Sequence, residues 1–328
     1  MIAGLVSTII PVHNRPELLI EAVESVLDQA YRPIEIVIVD DGSTDATPEV
    51  ARGLVAKQPD IVHLIRQANG GPGRARQAGL DTACGEYIQY LDSDDLLLPH
   101  KFERQVAALM ASPECGVAYG KTRLYKIGEQ ATDVPWKRTG EHILTILPSA
   151  LQLRWWSTST PLYRRAVLEC AGPWTSLRNE EDWEYDCRIG ALGTRLAYCN
   201  AFVSDKRQHE GDQLSRDGVS DHVKLRDRVE AHRLIYGHAR RAGISEAAPE
   251  MQHFARELFL LARQCGSAGL GAEARMLFSL ARQASGETRG RGLDFRFYAG
   301  TAKLLGWSLT GRIACRLDQI RSLVFPAR

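Results

Sequence analysis

The chain has 328 residues, 44% apolar and 25% charged, which is enough for one large core or two ordinary domains and lies outside the range of disordered chains. A formal net charge of +1 gives no whole-chain affinity for nucleic acid, and the seven cysteines show no CxxC pairs or zinc-site spacing, so they read as reduced, mostly buried small residues. No run approaches the roughly 20 apolar residues of a membrane span, and the start lacks the marks of a secretory signal, so a cytoplasmic location is expected, with membrane contact at most peripheral.

The first half alternates apolar runs with amphipathic segments, the pattern of an α/β protein with a mostly parallel sheet and crossover helices. Leu5–Val12 reads as strand and Pro16–Gln29 as helix. Ile34–Val39 is an unbroken β-branched run, suited to a strand covered on both faces. Thr47–Lys57 follows as helix, Ile61–Ile65 as strand, Arg74–Ala83 as helix, Tyr87–Leu91 as strand and Leu97–Ala111 as helix. Gly116–Tyr125 reads as a strand pair, Trp155–Tyr163 as an extended polar and aromatic segment, and Arg165–Cys170 as a short helix. Asp182–Ala191 reads as helix and Arg195–Val203 as strand. From about Asp221 helical periodicity takes over and β-branched runs disappear, which places a boundary between an α/β domain over 1–216 and a helical domain over 217–328. Within the latter, Ala255–Cys265 and Ala272–Ala284 form a candidate helical hairpin.

Three strands run into polar clusters: His13-Asn14-Arg15, Asp40-Asp41-Gly42-Ser43 and Asp92-Ser93-Asp94-Asp95. Parallel strands would gather all three on one carboxyl edge, where open α/β folds bind ligands. Asp92 and Asp94 then direct two hard carboxylates to one point, a donor pair for Mg²⁺ or Mn²⁺, although an acid here also suits a helix cap. Asp40 and Asp41 could accept hydrogen bonds from a ribose or base edge, or simply build a turn. Asn69–Arg74 is a glycine-rich entry to a helix whose amides at Gly71, with Arg74 or Arg76, could meet phosphates. It lacks a P-loop ending, and no G-x-G-x-x-G follows the first strand, which argues against a nicotinamide dehydrogenase. Glu181 or Asp182 could serve as general base, or could stabilise the helix dipole. Arg207, His209 and Ser215 form a later polar cluster, with His209 a candidate metal or phosphate ligand.

Taken together, VSTIIPVHNRPE, IVIVDDGSTDAT, NGGPGRARQAGL, YIQYLDSDDLLLP, RNEEDWEYDCRI and KRQHEGDQLS resemble family 2 glycosyltransferases, in the same order and at similar spacing, over roughly residues 4–216. The resemblance implies a GT-A fold with a helical C-terminal extension, a UDP-, GDP- or dTDP-sugar donor and inversion at the anomeric carbon. It implies that Pro11, Val12, His13 and Asn14 lie against the nucleoside, with Asp41 on the base. Gly71, Arg74, Asp92 and Ser93 would meet the rest of the donor. Asp92, Asp94 and His209 would serve the metal, with Asp182, beside Glu181, as base. The aromatic segment Trp155–Thr160 falls where relatives line an acceptor pocket, for a saccharide or lipid-linked saccharide. Relatives often read Ala-Arg-Asn where this chain has Ala75-Arg76-Gln77, and no Gln-x-x-Arg-Trp follows the base, which disfavours a processive synthase and favours addition of a single sugar.

Two other readings compete. A sugar-1-phosphate nucleotidyltransferase would carry an Arg-containing glycine loop directly after the first strand, which Pro11–Pro16 does not supply. A non-catalytic nucleotide-sugar-binding module would have no need of Asp92, Asp94 and Asp182 together. Arginines recur among Leu, Phe and Trp residues in the helical domain, as on packed helices with solvated arginines or on a partner-docking or membrane-surface face.

Overall fold

The computed structural model of the chain describes residues 1–129, 131–208 and 221–324. It divides into two compact units, Met1–Ile146 with Arg154–Gly211, and Leu147–Leu153 with Asp212–Arg328. The boundary expected at 216/217 lies outside the described residues.

In the first unit β1 (Ile2–Val12), α1 (Pro16–Leu27), β2 (Ile34–Asp41), α2 (Thr47–Lys57), β3 (Val62–Gln67), α3 (Pro72–Thr82) and β4 (Gly85–Tyr90) alternate as crossover units. β5 (Leu96–Leu97), α4 (Lys101–Ala111), β6 (Cys115–Lys126), β7 (Leu162–Arg164), α5 (Arg165–Ala171), α6 (Glu181–Gly190) and β8 (Arg195–Gln208) follow. The eight strands form one sheet in the order β3-β2-β1-β4-β7-β6-β8-β5. β1 to β4 run parallel, β7 runs against both β4 and β6, and β8 is again parallel to β6. The carboxyl ends of β1, β2, β4, β6 and β8 therefore share one edge of the sheet, together with the segment that enters β7.

Every residue of β2 is buried, as its β-branched sequence requires of a strand covered on both faces. α1 starts at Pro16, whose missing N–H costs nothing in a first turn, and buries Leu19, Ala22, Val23 and Val26 at helical spacing. Full burial of each larger aliphatic side chain contributes about 1.5–3 kcal/mol. α3 sits closest to the sheet at Gly79, where a Cβ would stand 2.3 Å from Ile9 Cγ2. Only glycine permits that approach, and it brings the preceding turn of α3 over the strand ends.

Two local expectations need correction. The helix read over Leu97–Ala111 starts at Lys101, because Leu96 and Leu97 pair with β8 and His100 turns the chain with φ 64°. Gly116–Tyr125 is one long strand rather than a pair, since its partner β8 comes from far along the chain.

The second unit is helical: a 3-10 turn at Ser149–Leu151, then α7 (His222–Arg241), α8 (Pro249–Ser267), α9 (Gly271–Ala284), the short α10 (Gly286–Arg289) and α11 (Leu293–Val324). The Asp221 side chain caps α7 by accepting from Val223 N at 2.8 Å. α8 and α9 form the expected hairpin, with the Phe259 and Phe278 rings 5.6 Å apart. α11 breaks at Gly306, whose φ of 79° is non-helical. Among the described residues no helix is long and apolar enough to cross a membrane.

Candidate functional site

The site is assembled from strand ends that hydrogen bonds stitch together. Where β1 stops, Asn14 takes φ 52°, its N–H donates to Ser43 Oγ at 3.0 Å, and its Oδ1 accepts from Thr44 N at 2.8 Å. His13 Nδ1 donates to the Asp41 carbonyl at 3.0 Å, so the ends of β1 and β2 form one ledge. Asp41 Oδ1 accepts from Gln67 Nε2 at 2.7 Å and Gly70 N at 2.8 Å, and its Oδ2 accepts from Gly71 N at 2.8 Å. A carboxylate so surrounded by donors fixes the glycine loop onto β2.

Beyond β4 the carboxylates are held by arginines. Arg15 pairs with Asp94 Oδ2 at 2.8 Å, joining the β1 end to the β4 end. Arg76, 3% exposed and stacked 4.9 Å above the Trp174 ring, donates through Nη2 to Asp92 Oδ1 at 2.8 Å and through Nη1 to Glu181 Oε1 at 2.7 Å. One buried guanidinium thus spans α3, the β4 end and the first turn of α6. Burial raises the Asp92 carboxyl, but the attraction of Arg76 and then Lys206 outweighs it and leaves the group below its usual range. Burial and the neighbouring Asp182 push Glu181 up to about 7 against the pull of Arg76.

Asp182 is the accessible acid of the Glu-Asp pair, its side chain 27% exposed against 7% for Glu181. Its Oδ2 pairs with Arg154 at 2.8 Å, and its Oδ1 accepts from Trp183 N at 2.7 Å. Arg154 reaches Asp186 Oδ2 with Nε at 2.7 Å, one turn along α6, and the same oxygen accepts from Trp156 Nε1 at 2.7 Å. Asp186 Oδ1 accepts from Tyr163 at 3.1 Å. Asp182 therefore rests on a fully engaged polar base.

On the far side Asp95 is 1% exposed and accepts from Ser157 Oγ at 3.0 Å, Ser159 Oγ at 3.1 Å and Arg207 N at 3.1 Å. Burial, reinforced by Asp94 and Asp92, raises it to about 7, although Lys206 draws it down. Lys206 is raised in turn, chiefly by Asp95 and also by Asp92 and Asp94. Its ammonium, 5.6 Å from the centre of the Trp136 ring, is a fixed positive charge beside the three aspartates.

Of the residues picked out in the sequence, Asp41 anchors the glycine loop at the β2 end, while Asp94, the Asp92–Glu181 pair and Asp182 are held in separate ion-paired groups by Arg15, Arg76 and Arg154, with His13 and Asn14 exposed on the ledge. Several expectations change. Val12 is 2% exposed and packs in the core, so only its backbone remains for a ligand, and Pro11 is half-buried beside it. Ser93 is 3% exposed. The amide of Gly71 is bound to Asp41 rather than offered to phosphate, and Arg74 is exposed while Arg76 enters the site. Trp155 and Trp156 are 1% and 2% exposed and pack against Tyr119, edge-on and tilted, so they do not present aromatic faces to an acceptor. His209 and Ser215 lie outside the described residues. Among the described residues no group of three or more His, Cys, Asp or Glu is disposed around a metal position; the carboxylates come as the pair Asp92 and Asp94. Sequence reading missed Arg154, Asp186 and Lys206. Asp186 was legible in principle, being four residues beyond Asp182 on the same face of α6.

Residues 7–171 match the family model described as glycosyl transferase family 2. The chain belongs to glycosyl transferase family 2. It is 37% identical over 201 residues to an uncharacterized glycosyltransferase of Nostoc sp., a match that covers 60% of each chain. It is also 37% identical over 99 residues to the glycosyltransferase GlyG of Streptococcus pneumoniae, covering 30% of this chain and 33% of that one. The chain thus spans less than two thirds of these relatives. Among solved structures, S. aureus TarS 1–349 in complex with UDP-GlcNAc superposes with a TM-score of 0.68 at 21% identity, over 95% of this chain and 92% of that one. The mannosyltransferase PcManGT from Pyrobaculum calidifontis, in complex with GDP-Man and Mn²⁺, gives 0.50 at 19% identity, over 96% and 86%. At such identities the likeness is one of fold: a mostly parallel sheet flanked by helices, with further helices at the C-terminal end, of the GT-A type expected from the sequence.

Proposed function

We propose that this chain transfers a single sugar from a nucleotide-diphosphate sugar to an acceptor hydroxyl, with inversion and with the help of a divalent cation. The observation that carries the proposal is the Arg76 bridge, whose guanidinium bonds both Asp92 at the β4 end and Glu181, the neighbour of Asp182 in the first turn of α6. A base and an acid pair able to hold a cation against the diphosphate are what such a displacement needs. The complexes of TarS with UDP-GlcNAc and of PcManGT with GDP-Man and Mn²⁺ support the donor class and the ion.

The nucleoside lies along the ledge of Pro11, His13 and Asn14, with Asp41 beneath the base. Asp92 and Asp94 fit Mg²⁺ or Mn²⁺, because both are hard oxygen donors and such ions take only one or two protein carboxylates when diphosphate and water supply the rest. Bound there, the ion supplies positive charge against the diphosphate. Lys206 adds a second positive charge on the same side. Asp182 accepts the acceptor's hydroxyl proton at its carboxylate. The freed oxygen forms a bond to the anomeric carbon as the bond to diphosphate breaks on the opposite face, which inverts the configuration. Arg154 holds Asp182 in place while Glu181, buried on Arg76, keeps the first turn of α6 fixed. A saccharide or lipid-linked saccharide supplies the hydroxyl, in cell-surface polysaccharide or glycoconjugate synthesis.

Asp182→Asn tests the reading. Nucleotide-sugar binding by calorimetry stays near the wild-type value while transfer falls by about 10²–10⁴. Full turnover by this variant would remove Asp182 from the base role.

A further inference from the structure

The helical unit has a surface that sugar transfer does not employ, the outer face of α11. Phe295, Tyr298 and Ala302 turn inward and are 4–5% exposed, with the Phe295 and Tyr298 rings 4.9 and 5.1 Å from Phe259. Half a turn round the helix, Leu293, Phe297 and Leu304 are 81%, 75% and 84% exposed, and intervals of four and seven residues keep them in one row. Past the break at Gly306 the helix packs again, at Gly311, where a Cβ would stand 2.5 Å from Ser267 N. On this second segment Leu309, Ile313 and Leu317, at 47%, 44% and 60% exposed and four residues apart, form an outward row of their own. A helix needs one apolar face to pack; α11 has two. Three large apolar side chains in a row on each segment exceed the single scattered exposures of an ordinary surface.

Cations accompany both rows in a fixed register. Arg296 precedes Phe297, Lys303 precedes Leu304, Arg312 precedes Ile313 and Arg316 precedes Leu317, and all four are exposed. One residue back is a turn of about 100°, so each cation lies on the same edge of its row. Of the two acids in this stretch, Asp318 is paired with Arg263 at 2.8 Å, and Asp294 sits in the first turn.

We propose that the outer face of α11 binds an anionic lipid bilayer, its two segments lying in the interface with their apolar rows at the boundary of headgroups and acyl chains and their cations on lipid phosphates. Charge selects this occupant: a second copy would bring four more cations to the face, whereas an anionic bilayer complements every one of them. The proposal concerns binding and stands apart from the transfer reading.

Co-sedimentation of the full chain with phosphatidylcholine vesicles, with and without phosphatidylglycerol, is the test. The expected result is recovery with the anionic vesicles, weakened by salt. Arg312→Glu/Arg316→Glu lowers partitioning by about tenfold or more, and Phe297→Ser/Leu304→Ser lowers it comparably; circular dichroism of both remains that of the wild type because the altered side chains are exposed. Equal recovery with and without anionic lipid overturns the proposal, as does recovery that neither variant lowers. A dimer seen by light scattering without lipid and dissolved by Phe297→Ser/Leu304→Ser would assign the face to a second copy instead. Donor binding unaltered in every variant keeps either outcome separate from the fate of the catalytic reading.

Discussion

Replacing Arg76 by Met removes the cation that holds the site together while keeping most of its volume. The guanidinium is 3% exposed and bonded to Asp92 and Glu181, so its loss leaves two carboxylates without their buried partner, a change worth about 3–5 kcal/mol. The cost depends on pH through Glu181, which stands at about 7 in the folded chain against an ordinary 4.5. A raised carboxyl lowers stability as pH climbs from its unfolded to its folded value, and the loss is complete above about 7. Without Arg76, which draws Glu181 down, the variant keeps Glu181 protonated past that point and continues to lose about 1.4 kcal/mol per pH unit. The difference between wild type and Arg76→Met is therefore larger at pH 8 than at pH 6 by about 1.4 kcal/mol. In the wild type Asp92 is held low chiefly by Arg76 and lies below this window; losing Arg76 lets burial raise it, which adds to the same trend. Urea unfolding of the full chain followed by tryptophan fluorescence reads the effect, since five of the six tryptophans (Trp136, Trp155, Trp156, Trp174 and Trp183) lie in the first unit. A loss below about 1 kcal/mol, or an equal loss at both pH values, would refute the assignment of Arg76 as the buried bridge.

Gly73→Ala would drive a Cβ to 2.2 Å from the Thr175 carbonyl oxygen, so it should cost about 1–3 kcal/mol and weaken nucleotide binding by shifting the glycine loop; unchanged urea midpoint and affinity would show that the loop has room. Asp95→Asn keeps a side-chain acceptor for Ser157 and Ser159 but removes a carboxyl raised to about 7. Wild-type stability falls from this group as pH rises from about 5 to 7, so the variant gains on it by about 2–3 kcal/mol over that span, and parallel pH profiles would contradict the burial of a titrating Asp95.

Local patterns made most of the first unit readable. The run Ile34–Val39 announced a doubly covered strand, and the acids after it and after Tyr90 marked the edge where a ligand would meet the sheet. What local patterns could not carry was long-range pairing. β5 is two residues long and exists only because β8 lies beside it, and β8 itself extends five residues beyond the predicted Val203 along its partner β6. Trp155 and Trp156 look in sequence like platforms for a sugar ring, yet their burial is decided by Tyr119 on a distant strand. Arg74 and Arg76 are two residues apart and so face different sides of α3. The sequence left Arg74 and Arg76 as alternatives, and the structure turns Arg76 inward on the side of Gly73 and Gly79. Arg154 had no such signal, because the carboxylates it serves lie on α6 and come together with it only in the folded unit.

The central claim, that the strand ends form one site for a diphosphate and a divalent cation, is tested most directly by calorimetric titration of the full chain with UDP, GDP and dTDP, with and without Mn²⁺. At least one nucleotide should bind in a Mn²⁺-dependent manner, and Asp94→Ala should abolish that dependence. Absence of binding by all three with Mn²⁺ present, or binding that neither Mn²⁺ nor Asp94 affects, would contradict it.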